Sequence, residues 1–229
     1  MSVEYFDEQR RQLIAAIGAH TEQVATRIGK TALDRQVLKA MTKVPRHEFV
    51  PAEVQSFAYL DTPLPIGFGK TISQPFMVAV MTDLLELKPD DAVLEIGTGL
   101  GYQSAVLAEL AGRVYSVEII DELAEGAARR LKRQGYSNVD IRVANGYLGW
   151  PEHAPFDKVI VTAAPDLIPT PLINQLKAGG RMVIPVGLPS AQQLVVAEKD
   201  IDGRVTTKEI MPVLFSLLEG SEQPSFRAS

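Results

Sequence analysis

Val93-Leu94-Glu95-Ile96-Gly97-Thr98-Gly99-Leu100-Gly101-Tyr102 is the stretch that decides the fold. An apolar run of the length of a buried strand passes into a loop with glycine at every second position, and a helical period then takes over from Tyr102 to Ala111. Glycine leaves out the side chain where a ligand has to approach the backbone closely. A strand that feeds such a loop and then a helix opens a crossover unit, in which parallel strands are joined through helices packed on the sheet faces.

The pattern repeats downstream. Strands are predicted at Ala92–Ile96, Val114–Glu118, Val139–Ala144, Phe156–Ala163, Gly180–Val186 and Gln193–Glu198, with a last one inside Thr206–Leu218. Helices fall between the early ones, at Tyr102–Ala111, Ile120–Gln134 and about Ile168–Leu176. No helical period separates residues 186 and 206, so the late strands form an antiparallel hairpin. The expected fold is α/β: a doubly wound, mostly parallel sheet of the Rossmann-like kind, closed by an antiparallel hairpin and preceded by an N-terminal helical segment.

Upstream, Leu13, Ile14, Ile17, Val24 and Ile28 keep a helical period and predict a helix over about 5–28. Asp34 is a good N-cap for a second helix that Pro45 stops. Pro63 to Gly69 is dense in proline and glycine and reads as a loop. Pro75 suits the first turn of a third helix, which Lys88-Pro89-Asp90 ends. The whole of 1–229 is expected to be one domain, with 1–88 a helical and substrate-loop segment and 89–229 the ligand-binding α/β core.

Composition narrows the chemistry. There is no cysteine, which excludes disulfides, thiolate nucleophiles and cysteine-based zinc sites. The three histidines, His20, His47 and His153, are far apart in sequence, and no metal is expected. A formal net charge of −5 gives no global field for nucleic acid, so no nucleic-acid partner is expected. Met1 to Arg11 is polar, unlike a signal peptide, and no run of 18 apolar residues offers a membrane span; a cytoplasmic location without membrane attachment follows as the expectation.

Gly97 and Gly99 fit the start of the dinucleotide fingerprint, but Gly101 arrives one residue early and Tyr102 stands where its third glycine belongs. The E-x-G-x-G-x-G form resembles instead the first motif of class I methyltransferases. Their cofactor, S-adenosyl-L-methionine, has no pyrophosphate, only a methionine tail whose carboxylate can meet a helix N-terminus. Glu118 closes the next strand 21 positions after Gly97, the place of an acid that accepts from ribose hydroxyls. Asn145, before Gly146 at the end of the third strand, has two readings: acceptor for the adenine amino group, or half of an Asn-Gly turn. The fourth strand ends in Thr162-Ala163-Ala164-Pro165, not the Asn-Pro-Pro-aromatic segment common in amino-directed methyltransferases. Thr71-Ile72-Ser73-Gln74-Pro75 puts two hydroxyls just before a helix, and Ser73 likewise reads either as an anion-binding hydroxyl or as a helix cap.

Over nearly its whole length the chain resembles the protein-L-isoaspartate O-methyltransferases. The carrying segments are Val44-Pro45-Arg46-His47-Glu48-Phe49-Val50-Pro51, Asp61-Thr62-Pro63-Leu64-Pro65-Ile66-Gly67, Thr71-Ile72-Ser73-Gln74-Pro75 and Leu94-Glu95-Ile96-Gly97-Thr98-Gly99. Gly149-Trp150, Ala154-Pro155-Phe156-Asp157, Val161-Thr162-Ala163-Ala164 and Gly179-Gly180-Arg181-Met182-Val183-Ile184-Pro185-Val186-Gly187 complete them. The resemblance implies Ser73 as the active-site serine and Thr71, Ile72 and Ser73 as acceptor-binding residues. It implies cofactor contacts from Ile72, Gln74, Glu95, Gly97, Thr98, Gly99, Gly101, Gln103, Glu118, Asn145, Gly146 and Thr162. Four positions depart from the family pattern: Lys70 for Gln, Leu100 for Ser, Ala144-Asn145-Gly146 for Gly-Asp-Gly, and Leu214-Phe215-Ser216-Leu217-Leu218 for Arg-aromatic-Val-Pro-Leu.

The implied reaction moves a methyl group from S-adenosyl-L-methionine to the carboxylate of L-isoaspartyl and D-aspartyl residues in damaged proteins, leaving S-adenosyl-L-homocysteine. The ester then closes to a succinimide, whose hydrolysis partly restores normal aspartate. Two other readings share the cofactor motifs: an O-methyltransferase for a modified peptide or small acid, and a non-catalytic cofactor-binding protein. Damaged proteins or peptides are the expected partners, and a monomer is the favoured state.

Overall fold

The computed structural model describes residues 3–221. Its main sheet has seven strands: β3 (Ala92–Ile96), β4 (Arg113–Glu118), β5 (Val139–Val143), β6 (Phe156–Val161), β7 (Leu176–Val186), β8 (Gln192–Lys199) and β9 (Val205–Val213), in the spatial order β5-β4-β3-β6-β7-β8-β9. Pairings from β5 through β7 are parallel, while β8 runs antiparallel to both β7 and β9. Strand order reverses between β3 and β6, the switch point beside which open α/β sheets bind ligands at the carboxyl ends of their strands. The doubly wound sheet and its antiparallel end stand as the sequence predicts.

Both faces of the sheet are covered, as parallel strands require. Val93 packs into the larger core with α1 (Val3–Gln23), α3 (Arg35–Lys43), α4 (Pro75–Leu85) and α5 (Tyr102–Ala108), while Leu94 and Ile96 face a second core with Leu172 of α7 (Thr170–Gln175). The longer α6 (Asp121–Arg133) opens with Asp121 and Glu122 and ends with Arg130, Lys132 and Arg133, each sign at the end of the helix dipole it complements.

The N-terminal half departs from the sequence reading in two places. The helix expected over 5–28 is two: α1 ends at Gln23, and a single turn, α2 (Ala25–Ile28), is closed by left-handed Gly29. Pro63–Gly69 is not a plain loop. Leu64–Gly67 (β1) and Lys70–Ile72 (β2) form an antiparallel hairpin. Leu64 and Ile66 are buried while Pro65 and Gly67 are exposed, so the strand alternation is present but written in residues that favour turns. Gly67, Phe68 and Gly69 all have positive φ (89°, 54° and 67°), which turns the chain back within two residues. Asp34 caps α3 as expected, accepting from the Gln36 amide at 2.7 Å.

Candidate active site

Two cavities meet at the carboxyl ends of β3, β4 and β6. The first is floored by Gly97, Thr98, Gly99, Leu100 and Glu118 and roofed by the β1–β2 hairpin and the segment Ser216–Glu219. The second is lined by His20, Pro63, Gln74, Phe76, Met77 and the stretch Met211–Ser216. Thr71, Ser73, Thr162 and Ser216 line both and form the wall between them.

The glycine loop is built for close approach. Gly97 has φ of 95°, and a Cβ there would come within 2.5 Å of the Thr162 hydroxyl. That hydroxyl donates to the Gly97 carbonyl at 2.8 Å, tying β6 to the loop. Glu118 reaches under the loop and accepts from the Gly99 amide at 2.8 Å and from the Ile119 and Ile120 amides at 2.9 and 3.1 Å. Its carboxylate is thus held at the cavity floor by backbone donors and keeps lone pairs for a ligand's hydroxyls. A nucleoside-bearing ligand fits this floor: bare backbone at Gly97 and Gly99, a fixed carboxylate, and apolar walls from Ile66, Leu100 and Ile119.

Of the residues expected to touch the cofactor, Ile72, Gly97, Thr98, Gly99, Gln103, Glu118, Gly146 and Thr162 line this cavity. Four do not. Gln74 turns into the second cavity and donates to the backbone and side chain of Asp61 at 3.1 and 3.2 Å. Gly101 faces α6, where a Cβ would sit 3.2 Å from Ala127 and Leu131; its role is helix packing. Asn145 caps a short 3-10 turn, accepting from the Tyr147 amide at 3.0 Å and donating to the Ser221 carbonyl at 2.7 Å, so the turn reading is the one its contacts support.

Glu95 is fully buried beneath the loop. It accepts from the hydroxyls of Ser104 and Ser116, and Ser116 in turn pairs with the Thr98 hydroxyl at 2.5 Å. Burial pushes its carboxyl up to about 7 against the lowering effect of the two serines. Glu95 supports the loop from below, without reaching the cavity.

Ser73 is half-buried on the shared wall, and its hydroxyl makes no hydrogen bond to the described residues. Capping of α4 falls to others: Gln74 holds the N-cap position without a side-chain bond, and Asp61 accepts from the Phe76 amide at 2.8 Å. The Ser73 backbone is fixed by Arg46, which donates to its carbonyl at 2.8 Å and to that of Ala58 at 2.9 Å. Arg46 is wholly buried, lies 4.8 Å from the Tyr102 ring centre, and has its pKa pulled down by burial to about 10.

Sequence reasoning quoted Arg46 in a motif but gave it no role, and missed Asp61 and His20 as site residues. Only the co-occurrence of Val-Pro-Arg with the Thr-Ile-Ser segment hinted at the first. It also missed how the C-terminal stretch is placed. Gln192 clamps Phe215 through both backbone groups, and Ala164 bonds Ser216 and Leu218 at 2.8 and 2.9 Å. This brings Glu219 to Lys70 at 2.5 Å, across the mouth of the first cavity.

The family model for protein-L-isoaspartate(D-aspartate) O-methyltransferase matches residues 19–223. The chain belongs to this family. It is 65% identical over 217 residues to protein-L-isoaspartate O-methyltransferase 1 of Polaromonas sp. (strain JS666), covering 95% of this chain and 92% of that one. Protein-L-isoaspartate O-methyltransferase 2 of Syntrophobacter fumaroxidans is 57% identical, with 92% and 86% covered. Among solved structures, a protein-L-isoaspartate O-methyltransferase superposes with a TM-score of 0.81 at 30% identity, over 93% of this chain and 66% of that one. A candidate protein-L-isoaspartate O-methyltransferase from Plasmodium falciparum, solved with S-adenosyl-L-homocysteine, gives 0.73 at 25% identity, over 81% and 91%. As a family member the protein is a methyltransferase of the Rossmann-like class, and no helix among its described residues is long and apolar enough to cross a membrane.

Proposed function

We propose that this protein-L-isoaspartate O-methyltransferase family member methylates the free carboxylate of L-isoaspartyl and D-aspartyl residues in damaged proteins, the first step of their repair. The observation that carries the reading is the shared wall: one cavity suits S-adenosyl-L-methionine, the other opens to solvent, and Ser73 and Thr71 stand between them. The donor supplies an electrophilic methyl group. Gly97, Thr98, Gly99, Gln103, Glu118 and Thr162 hold it, with Glu118 on the ribose hydroxyls.

The acceptor needs little activation. A carboxylate with an ordinary pKa near 4 is already ionised at neutral pH, so no general base is required. Opposite charges are neutralised in the transfer, and bulk water stabilises the reactants more than the transition state. What the chain contributes is alignment and exclusion of water. Alignment alone is worth roughly 7–11 kcal/mol in well-oriented systems. The Ser73 hydroxyl, without a partner among the described residues, is free to donate to the carboxylate, and the hairpin and Ser216–Glu219 screen the cavity from above. The chain works as one domain, with both the helical and substrate-loop segment, residues 1–88, and the α/β core, from residue 89 on, contributing to each cavity, as a cytoplasmic monomer without nucleic-acid partners.

The deciding experiment is methyl transfer to matched peptides that differ only in an aspartyl, D-aspartyl or isoaspartyl linkage. Ester formation on the isoaspartyl peptide and none on the L-aspartyl one is expected. Equal transfer to both, or transfer to neither, would reject the substrate assignment.

A further inference from the structure

His20 stands on the wall of the second cavity, at the end of α1, far in sequence from every motif of the site. Its ring lies flat on Phe76, with ring centres 3.7 Å apart and planes 15° from parallel. Its Nδ1 is 3.3 Å from Asp61 Oδ2. Asp61 already accepts from the Phe76 amide and the Gln74 side chain. A carboxylate offers only acceptors, so Nδ1 carries the hydrogen and donates. In the neutral ring this leaves Nε2 as a bare acceptor. No described residue bonds to Nε2, and about a third of the side chain, 34%, remains exposed beside the cavity.

A ring stacked on one face, tethered at one nitrogen and open at the other is a fixed acceptor in a cleft where Pro63, Phe76, Met77 and Leu214 lie beside the polar side chains of Thr71, Ser73, Gln74, Thr162 and Ser216. A peptide laid in that cleft brings backbone N–H groups that lose their water on entry, and the apolar part of the lining, where the His20 ring stacks on Phe76, does not replace it. We infer that His20 Nε2 accepts the backbone N–H of the residue to be methylated, with Asp61 setting the tautomer. This rests on the proposed function and deepens it. In an isoaspartyl residue the free carboxylate sits on the same carbon as the residue's own N–H, whereas in an aspartyl residue a methylene intervenes. A fixed acceptor beside the carboxylate seat therefore reads the linkage. His20 binds and orients; it takes no part in the transfer itself.

The test uses the full chain, an isoaspartyl hexapeptide, and the same peptide with single backbone N-methyl groups. His20→Phe keeps a ring on Phe76 and removes both nitrogens. It should raise KM for the parent peptide about three- to tenfold, the loss of one hydrogen bond to a desolvated group, with the effect on KM rather than kcat. S-adenosyl-L-homocysteine affinity, measured by calorimetry, should stay within twofold. His20→Gln, whose amide donates to Asp61 and presents an oxygen, should recover most of the loss. One N-methyl peptide should be penalised by the wild type and not further by His20→Phe, the signature of a shared interaction. Equal KM in wild type and His20→Phe, or an N-methyl penalty that persists in the variant, would overturn the inference alone. A wild type inactive on the isoaspartyl peptide would overturn the proposed function and this inference together.

Discussion

Arg46 donates through Nη2 to the backbone carbonyl of Ser73 at 2.8 Å. One buried guanidinium, placed just after α3, thereby joins the Ala58 carbonyl to the wall between the two cavities. The same contact explains why Val-Pro-Arg and Thr-Ile-Ser occur together: the first segment fixes the backbone that carries the second.

Arg46→Lys should separate holding Ser73 from binding cofactor. Lysine keeps the charge but not the fork that reaches two carbonyls at once, leaving one of them buried without a donor. A stability loss of about 1–3 kcal/mol is expected. Turnover measured well below the transition should fall several-fold, while calorimetry should find S-adenosyl-L-homocysteine affinity nearly unchanged. Turnover per folded molecule equal to wild type would show that Ser73 needs no such anchor.

Glu118→Ala should weaken S-adenosyl-L-homocysteine binding by about 1.5–3 kcal/mol, since a charge-assisted bond to the ribose is lost. The Gly99, Ile119 and Ile120 amides would lose their acceptor as well, so loosening of the loop adds to the effect. Unchanged affinity by calorimetry would remove Glu118 from the ribose site.

Glu95 predicts an unusual pH dependence of stability. Its folded pKa, raised by burial to about 7, lies above the ordinary value of 4.5 that it regains on unfolding. Between those values the native state holds a proton that the unfolded chain has released. Stability from this group therefore falls as pH rises from about 4.5 to about 7 and is level beyond, a change on the order of 3 kcal/mol. Glu95→Gln cannot ionise, and its stability should lack this slope. Denaturant midpoints at pH 5 and pH 8 check it; parallel slopes in both proteins would mean that Glu95 is ionised throughout.

The α/β core was legible because its signals are local and mutually consistent. Strands β3 and β6 are mostly apolar, β5 alternates Val139, Ile141 and Val143 with Asp140 and Arg142, and the acid 21 residues past Gly97 fell where the fold needs it. The hairpin Leu64–Ile72 was hidden because Pro65, Gly67 and Gly69 carry turn chemistry, and only the buried pair Leu64 and Ile66 betrays a strand. Gly101 and Glu95 sit in the glycine motif yet serve α6 and two serines, a difference decided by which way each faces and so invisible to spacing. His20 and Asp61 are 41 residues apart, and nothing in either neighbourhood announces the other. Contacts of that kind are set by how α1 lies on α4, which no local pattern encodes.

Lys70 and Glu219 should act as a latch on the cofactor cavity. The pair links the hairpin to the C-terminal segment, with side chains 21% and 56% exposed, so solvent screens it and its worth is within about 1 kcal/mol. Glu219→Ala should speed S-adenosyl-L-homocysteine release up to about fivefold and leave the denaturation midpoint in place. The difference should shrink at high salt. Stopped-flow release rates that match wild type at low salt would show that the segment closes without the pair.

Ser73→Ala carries the sharpest forecast, because the structure separates two roles that sequence alone left joined. A capping serine would lose about 0.5–2 kcal/mol of stability on replacement. Here Asp61 bonds the Phe76 amide and the Ser73 hydroxyl has no partner among the described residues, so the stability change should stay within about 0.5 kcal/mol. If the hydroxyl holds the acceptor carboxylate, its loss removes a hydrogen bond to a charged group, worth roughly 1.5–3 kcal/mol. Methyl transfer to an isoaspartyl peptide should then fall by about tenfold or more in kcat/KM. Affinity for S-adenosyl-L-homocysteine should hold, because the cofactor's proposed anchors, Glu118 and the glycine loop, line the first cavity and are not themselves part of the wall it shares with the second. Peptide kinetics beside a denaturation curve decide the matter. Normal kinetics with lowered stability would return Ser73 to the scaffold, and carboxylate recognition would then fall to Thr71, the other hydroxyl that the hairpin brings to the shared wall.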